Sequence, residues 1–280
     1  MFLSYCCQEI DINIDDKEGN GWTALFFACN KGNVNVARLL LERPETAVNR
    51  VDQDGWCILN QAAQKGHQDL VALLLAREDI AADMANEDGF SPLISAANNG
   101  QASVIGLFID REDIDFNRET KDGYTALISA AKHGHVEVVR ILISRADVDV
   151  NKANRDGFKA LISAAKEGHV EVVKILISRA DTDVNKANKY GFTALISAAK
   201  EGHVEVVKIL ISRSDLDVNK AIHAGFTALT AAARYGHIRI VEELIRVPNI
   251  NMTINRHGPT ALQEAERAGN REIAKLLRAT

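Results

Sequence analysis

Five histidines, His67, His135, His169, His203 and His237, each follow a glycine and are separated by 34 residues or twice that. Imidazoles are the side chains that metal centres and general acid–base sites use. A metal shared between them would need bonds of about 2 Å, and residues a whole repeat apart lie one structural layer from each other, so the row reads as structural. Dinucleotide and nucleotide loops of the Gly-x-Gly-x-x-Gly and Walker types, His-Glu-x-x-His and Gly-x-Ser-x-Gly are all absent. The four cysteines, Cys6, Cys7, Cys29 and Cys57, have neither zinc-finger nor redox spacing and cannot build a disulfide framework. Catalytic, metal and cofactor chemistry therefore have no foothold.

Two other columns carry binding chemistry. Trp22, Trp56, Phe90, Tyr124, Phe158, Phe192 and Phe226 recur every 34 residues and make up 7 of 15 aromatic residues, so the rings are concentrated at one place in the repeat. They either pack between successive loops or present rigid, half-buried faces to a partner, and one role does not exclude the other. Eight residues further on stand Asn30, Gln64, Asn98, Lys132, Lys166, Lys200 and Arg234, a switch from amides to cations at the fourth unit; His133 and Tyr235 lie beside them. The neighbouring loop positions follow the same switch: Gln53 and Glu87 give way to Lys121, Arg155, Lys189, His223 and Arg256, with Tyr190 next to Lys189. Net charge follows suit, with −11 over residues 1–122 and +6 over 123–280.

The elements that position these columns follow from the period. Glycines at 21, 55, 89, 123, 157, 191, 225 and 258 open eight units, each with a second glycine eleven residues later. Units four and five match at 27 of 34 positions and units five and six at 28, so the repetition is real. Within Gly191–Arg213, Thr193 is placed to cap a first helix carrying Leu195, Ala198 and Ala199. Gly202 ends it, and a second helix follows with Val206, Val207, Leu210 and Ile211 inward. Neither helix is long enough to stand alone in water, so each unit must bury its faces on its neighbours in a one-dimensional stack. The polar stretch that follows each pair is expected to be a loop with an extended β-hairpin.

The pattern Gly-x-Thr-Ala-Leu-Ile-Ser-Ala-Ala-Lys-x-Gly-His-Val-Glu-Val-Val in units four to six resembles the ankyrin repeat family. Pro92 alone keeps the family's proline, Ile128, Ile162 and Ile196 stand where the family has a histidine, and the loop Arg145–Asn151 is one residue longer. The resemblance implies an all-α repeat solenoid of helix-turn-helix units with β-hairpin loops. It also implies a non-enzymatic scaffold for protein–protein interaction, and it places the aromatic and basic columns beside the concave groove. The expected partner is an acidic protein bound there. Alternatives are a nucleotide or single-stranded nucleic acid, which rings interleaved with cations would suit, or a consensus-like, engineered array without an evolved partner. Residues 1–20, with Phe2, Leu3 and Tyr5 ahead of Asp11-Ile12-Asn13, read as a half-unit cap. The last unit, where Glu264 and Glu266 replace Ser197 and Ala199, reads as a C-terminal cap with both carboxylates in water. With no apolar run of about eighteen residues and no leader pattern, a monomeric cytoplasmic protein is expected.

Regularity sets a gradient of stability. Unit three carries Gly106 in its second helix and polar or small Asn98, Asn99, Ala102 and Ser103 nearby. Native-state hydrogen exchange should be slowest within about 123–224 and faster in unit three, and equal protection of the two would refute this.

Overall fold

The computed structural model of the chain describes residues 11–16, 20–222, 225–252 and 258–280. Two compact bodies are present, Met1–Lys121 and Asp122–Thr280. The first holds α1 (Ala24–Asn30), α2 (Val34–Leu41), α3 (Ile58–Lys65), α4 (Gln68–Leu75), α5 (Pro92–Asn98) and α6 (Ala102–Phe108). The second holds α7 (Ala126–Lys132), α8 (Val136–Ile143), α9 (Ala160–Glu167), α10 (Val170–Ser178), α11 (Ala194–Glu201), α12 (Val204–Ile211), α13 (Ala228–Tyr235), α14 (Ile238–Ile245), α15 (Ala261–Arg267) and α16 (Arg271–Ala279). Odd-numbered helices form one layer of each body and even-numbered helices the other.

Local sequence explains these short elements. Thr125, Thr193 and Thr227 each accept the backbone N–H three residues on, at 3.2, 3.2 and 3.3 Å, which fixes where the first helix of a pair begins. Pro92 occupies the first turn of α5, where no N–H is needed. Gly168, Gly202 and Gly236 close α9, α11 and α13 in the left-handed conformation. Paired alanines such as Ala198 and Ala199, both fully buried, let the odd helices approach closely, and Val206, Val207 and Leu210 fill the space under the even ones. Each such aliphatic side chain contributes about 1.5–3 kcal/mol.

Helix ends are satisfied across repeats. His169, His203 and His237 place Nε2 at 3.0, 2.9 and 2.9 Å from the carbonyls of Lys132, Lys166 and Lys200. A carbonyl only accepts, so Nε2 carries the hydrogen. Asn270 and Gln101 do the same job with their amides, on Ala233 and Gln64. Arg77, Arg111, Arg179 and Arg213 grip the carboxylate two residues on and reach back to carbonyls at the end of the preceding even helix, as in Arg213 to Ile177 at 2.7 Å. The arginines hold Asp79, Asp113, Asp181 and Asp215 below the ordinary carboxylate range. A third ladder is made by asparagine: Asn151 donates to Asp181 O and accepts from Asp183 N, and Asn185 and Asn219 repeat this on the next units. Asn13 makes the same two bonds, to Glu45 and Ala47. The rest of the expected N-terminal half-unit, including Phe2, Leu3 and Tyr5, lies outside the described residues.

Two expectations are overturned. The β-hairpin loops are absent: the described residues contain no strand, and bridges such as Asp15 to Thr23 and Val51 to Cys57 are isolated. The reason is visible at Asn154–Phe158. The Asn154 N–H donates to Phe158 O at 2.9 Å, but its carbonyl is taken by Gly157 N, and the Phe158 N–H goes instead to Asn154 Oδ1 at 2.8 Å. A side chain thus replaces the second rung of the ladder and leaves a tight turn. Neither is Glu264 in water. It is 3% exposed, between Arg234 at 3.5 Å and Arg267 at 2.9 Å, whereas Glu266 is exposed and paired with Arg278.

The turns stack by backbone contact. Arg155 N donates to Asp122 O at 2.9 Å and Lys189 N to Asp156 O at 3.0 Å. At Gly157, φ is 82° and a Cβ would lie 2.7 Å from Lys189 N. Gly157→Ala should therefore cost about 2 kcal/mol or more, from the left-handed backbone and from the collision. Gly106 is the opposite case, helical with nothing within 4 Å of a Cβ. Gly106→Ala should add about 1 kcal/mol; chemical denaturation of the two variants should shift in opposite directions, and a common direction would refute the assignment.

Lys159 stands where its neighbours have a capping threonine. It is 7% exposed and makes no capping bond. Burial, with Lys186 nearby, pushes its ammonium below the ordinary lysine range, against the pull of Asp183 and Asp149. The folded state therefore binds this proton less tightly than the unfolded chain. The cost is fully present below the depressed value and is relieved as pH rises toward about 10.4, the unperturbed lysine value. Lys159→Thr should restore a cap worth about 1 kcal/mol and raise Tm at about pH 7. Its advantage should shrink by about pH 10, and a pH-independent or negative effect would contradict this account.

Candidate functional site

All seven rings that follow the loop glycines are half-buried. In the first body they meet other rings: Trp56 and Phe90 lie 6.1 Å apart, while Trp22 stacks on Phe26 at 4.9 Å and meets Phe27 edge-on at 5.0 Å. In the second body they meet cations. Lys132 Nζ is 5.1 Å from the Tyr124 ring, Lys200 Nζ 5.9 Å from Phe192 and 5.7 Å from Tyr235, and the Arg234 guanidinium 5.4 Å from Phe226. Helical geometry produces this: the ring stands just before the capping residue, and the cation, eight positions on, ends the same helix and folds back over it.

These cations are not free charges. Lys200 donates to Glu201 at 2.9 Å, and Lys166 to Glu167 at 3.3 Å. The bond to Glu201 raises the Lys200 ammonium and lowers the Glu201 carboxyl, so both remain charged. Arg234 leans toward buried Glu264. At the turns, Arg155 is exposed with its guanidinium 3.9 Å from Asp122, and the Tyr190 hydroxyl reaches Asp156 at 3.4 Å. His133 is exposed, with Nδ1 2.9 Å from Ser129 O and its ring stacked on His135 at 5.9 Å. His223 and Arg256 lie outside the described residues.

Five of the residues expected from sequence, Phe158, Lys166, Tyr190, Phe192 and Lys200, converge on one slot of about 150 Å³ between successive repeats. Asn188, Ser197 and Glu201, which sequence reasoning missed, complete its walls. Asn188 is the organiser: Oδ1 accepts from Tyr190 N at 3.0 Å and Phe192 N at 2.9 Å. Its signal was present in the sequence as Asx-x-x-Gly-aromatic, at Asp52, Asn86, Asn154 and Asn188. Trp22, Trp56 and Phe90 belong to the other body and do not line this slot.

A larger hollow of about 530 Å³ lies on the even-helix side around His203, Glu205, Lys208 and Arg239. It mixes both charges, and His203 there is already committed to Lys166 O. Cys29 and Cys57 are buried, and burial raises both thiols, Cys29 to about 12, which makes them poor nucleophiles. Among the described residues no group of three or more His, Cys, Asp or Glu could hold a metal ion, and no helix is long and apolar enough to cross a membrane.

Paired short helices in two layers, glycine-closed turns and the Gly-His junction agree with one family profile. That profile, ankyrin repeats in sets of three copies, matches residues 2–84, 78–154, 146–222 and 214–280. The chain belongs to the ankyrin repeat family. No curated protein matches it. Ankyrin repeat proteins are characteristically non-enzymatic, and the fold generally serves as a scaffold for protein–protein interaction.

Proposed function

We propose that residues 122–280 recognise an acidic polypeptide segment on the face formed by the odd-numbered helices and the turns. The supporting observation is the set of cations held over half-buried rings, at Tyr124–Lys132, Phe192–Lys200 and Phe226–Arg234. A cation fixed over a ring is already ordered, so a partner carboxylate gains its pairing at a lower entropic cost, and the ring edge beside it offers apolar area. Lys166, Phe158, Arg155, Lys189, Tyr190, Tyr235 and His133 extend the same surface, while Trp22, Trp56 and Phe90 form the corresponding ring column of the other body, taken by itself. Glu167, Glu201, Asp122 and Asp156 interleave with the cations, which favours a polypeptide of mixed character over a nucleic-acid backbone carrying a charge on every residue.

Lys132→Glu, Lys166→Glu and Lys200→Glu combined should abolish binding of an acidic polypeptide and, with it, the salt dependence of that binding. All three positions are at the solvent-facing ends of helices, so the Tm should hold within a few degrees. Unchanged affinity in a salt titration by fluorescence polarisation would refute the proposal.

A further inference from the structure

The slot between the fifth and sixth repeats differs from the rest of the face. Three aromatic residues, Phe158, Tyr190 and Phe192, line it together with Lys166 and Lys200. At about 150 Å³ it falls well below the roughly 300–1,000 Å³ of sites for drug-sized ligands. It equals the roughly 150 Å³ of an apolar cavity that takes one benzene ring. Asn188 supplies a second, independent observation. The residue is 6% exposed and its Nδ2 is buried without a hydrogen-bond partner, alone in this respect among the described residues of 122–280. The backbone donors of Tyr190 and Phe192 fix which side-chain atom is the oxygen, so the unmet group is an N–H donor. A buried donor with nothing to bond calls for an acceptor.

From these features, and resting on the polypeptide reading above, we infer that the slot is an anchor pocket for one side chain of an extended peptide. The geometry points to an aromatic or branched aliphatic residue seated between Phe158 and Phe192. Once a side-chain shift at the slot uncovers Asn188 Nδ2, a peptide carbonyl beside it accepts from that donor, and a flanking carboxylate meets Lys166 or Lys200. Because each lysine already has a glutamate neighbour, the ring contact and the amide, not bulk charge, select the ligand.

The test uses the full chain and a displayed library of random twelve-residue peptides, with selected peptides titrated by fluorescence polarisation. Asn188→Asp keeps the acceptor for Tyr190 N and Phe192 N but removes the donor; Asp52 already makes the equivalent bonds to Asp54 and Trp56, so the turn tolerates it. Tyr190→Ala removes an exposed ring that the core does not need. Selected peptides should share one large apolar residue with Asp or Glu within about three positions. Both variants should weaken them tenfold or more at unchanged Tm, and Lys174→Ala, at an exposed position of α10 outside this face, less than twofold. Peptides lost in the triple lysine reversal but indifferent to Asn188→Asp and Tyr190→Ala would overturn the pocket while leaving the face reading intact. Peptides indifferent to every variant, or no selected peptide at all, would overturn both. Binding of a labelled twelve-residue oligothymidine that depended on Asn188 and Tyr190, in place of peptide binding, would replace the ligand class and overturn the inference.

Discussion

Every described helix in this protein is seven to nine residues long. An α-helix leaves about four N–H groups unpaired at one end and about four C=O groups at the other, so in helices this short almost every peptide group belongs to an end. Such helices cannot persist in water by themselves. The fold therefore depends on supplying partners for helix termini, and it does so from the neighbouring repeat: a histidine or amide on the last carbonyls of α3, α7, α9, α11 and α13, an arginine on those of α2, α4, α8 and α10, and an asparagine bridging successive loops. Apolar burial provides most of the stabilisation, but it does not fix how far one repeat slides against the next. The directional polar bonds do.

This requirement explains why the most conspicuous polar columns have structural work to do. His169, His203 and His237 are occupied by carbonyls, and their rings lie against Gly134, Gly168 and Gly202 of the preceding repeat, where a Cβ on Gly134 would lie 2.7 Å from His169 Nδ1. Arg179 and Arg213 are committed to an aspartate and to the repeat before them. Periodicity in a repeat protein marks whatever every repeat needs. Recognition has to be sought where the pattern changes, as it does when amides give way to lysine and arginine beside the rings, or where a polar atom is left over, as at Asn188.

Much of the architecture was legible because it depends on local chemistry. Thr193 capping its helix, Gly202 closing it, and Val206, Val207 and Leu210 turning inward all follow from residue type and spacing, and the structure has them so. What failed were readings that needed a third residue. The polar, turn-rich stretch after each helix pair suggested a hairpin, but Asn154 offers a side-chain oxygen to the very N–H that would have extended a ladder. Glu264 looked solvent-bound until two arginines, one from the preceding repeat, were seen to enclose it. Lys159, inside the most regular stretch, breaks the capping pattern without altering the helix it precedes, since burial of the surrounding apolar residues outweighs a missing cap worth about 1 kcal/mol.

The site follows the same logic. Counting charges predicts a strongly basic trough; the structure shows Lys166 and Lys200 each paired with a glutamate, and Lys132 and Lys200 each covering a ring. Exposed ion pairs are worth about 0–1 kcal/mol, so exchanging an internal glutamate for a partner's carboxylate yields little net affinity. It does set orientation and encounter rate. In the proposed mode, tight binding comes from desolvating apolar surface in a confined place, and the rings around Asn188 line a space of ring size. In the proposed mode of binding, charge brings a segment to the face and aligns it, and a single buried side chain decides whether it stays.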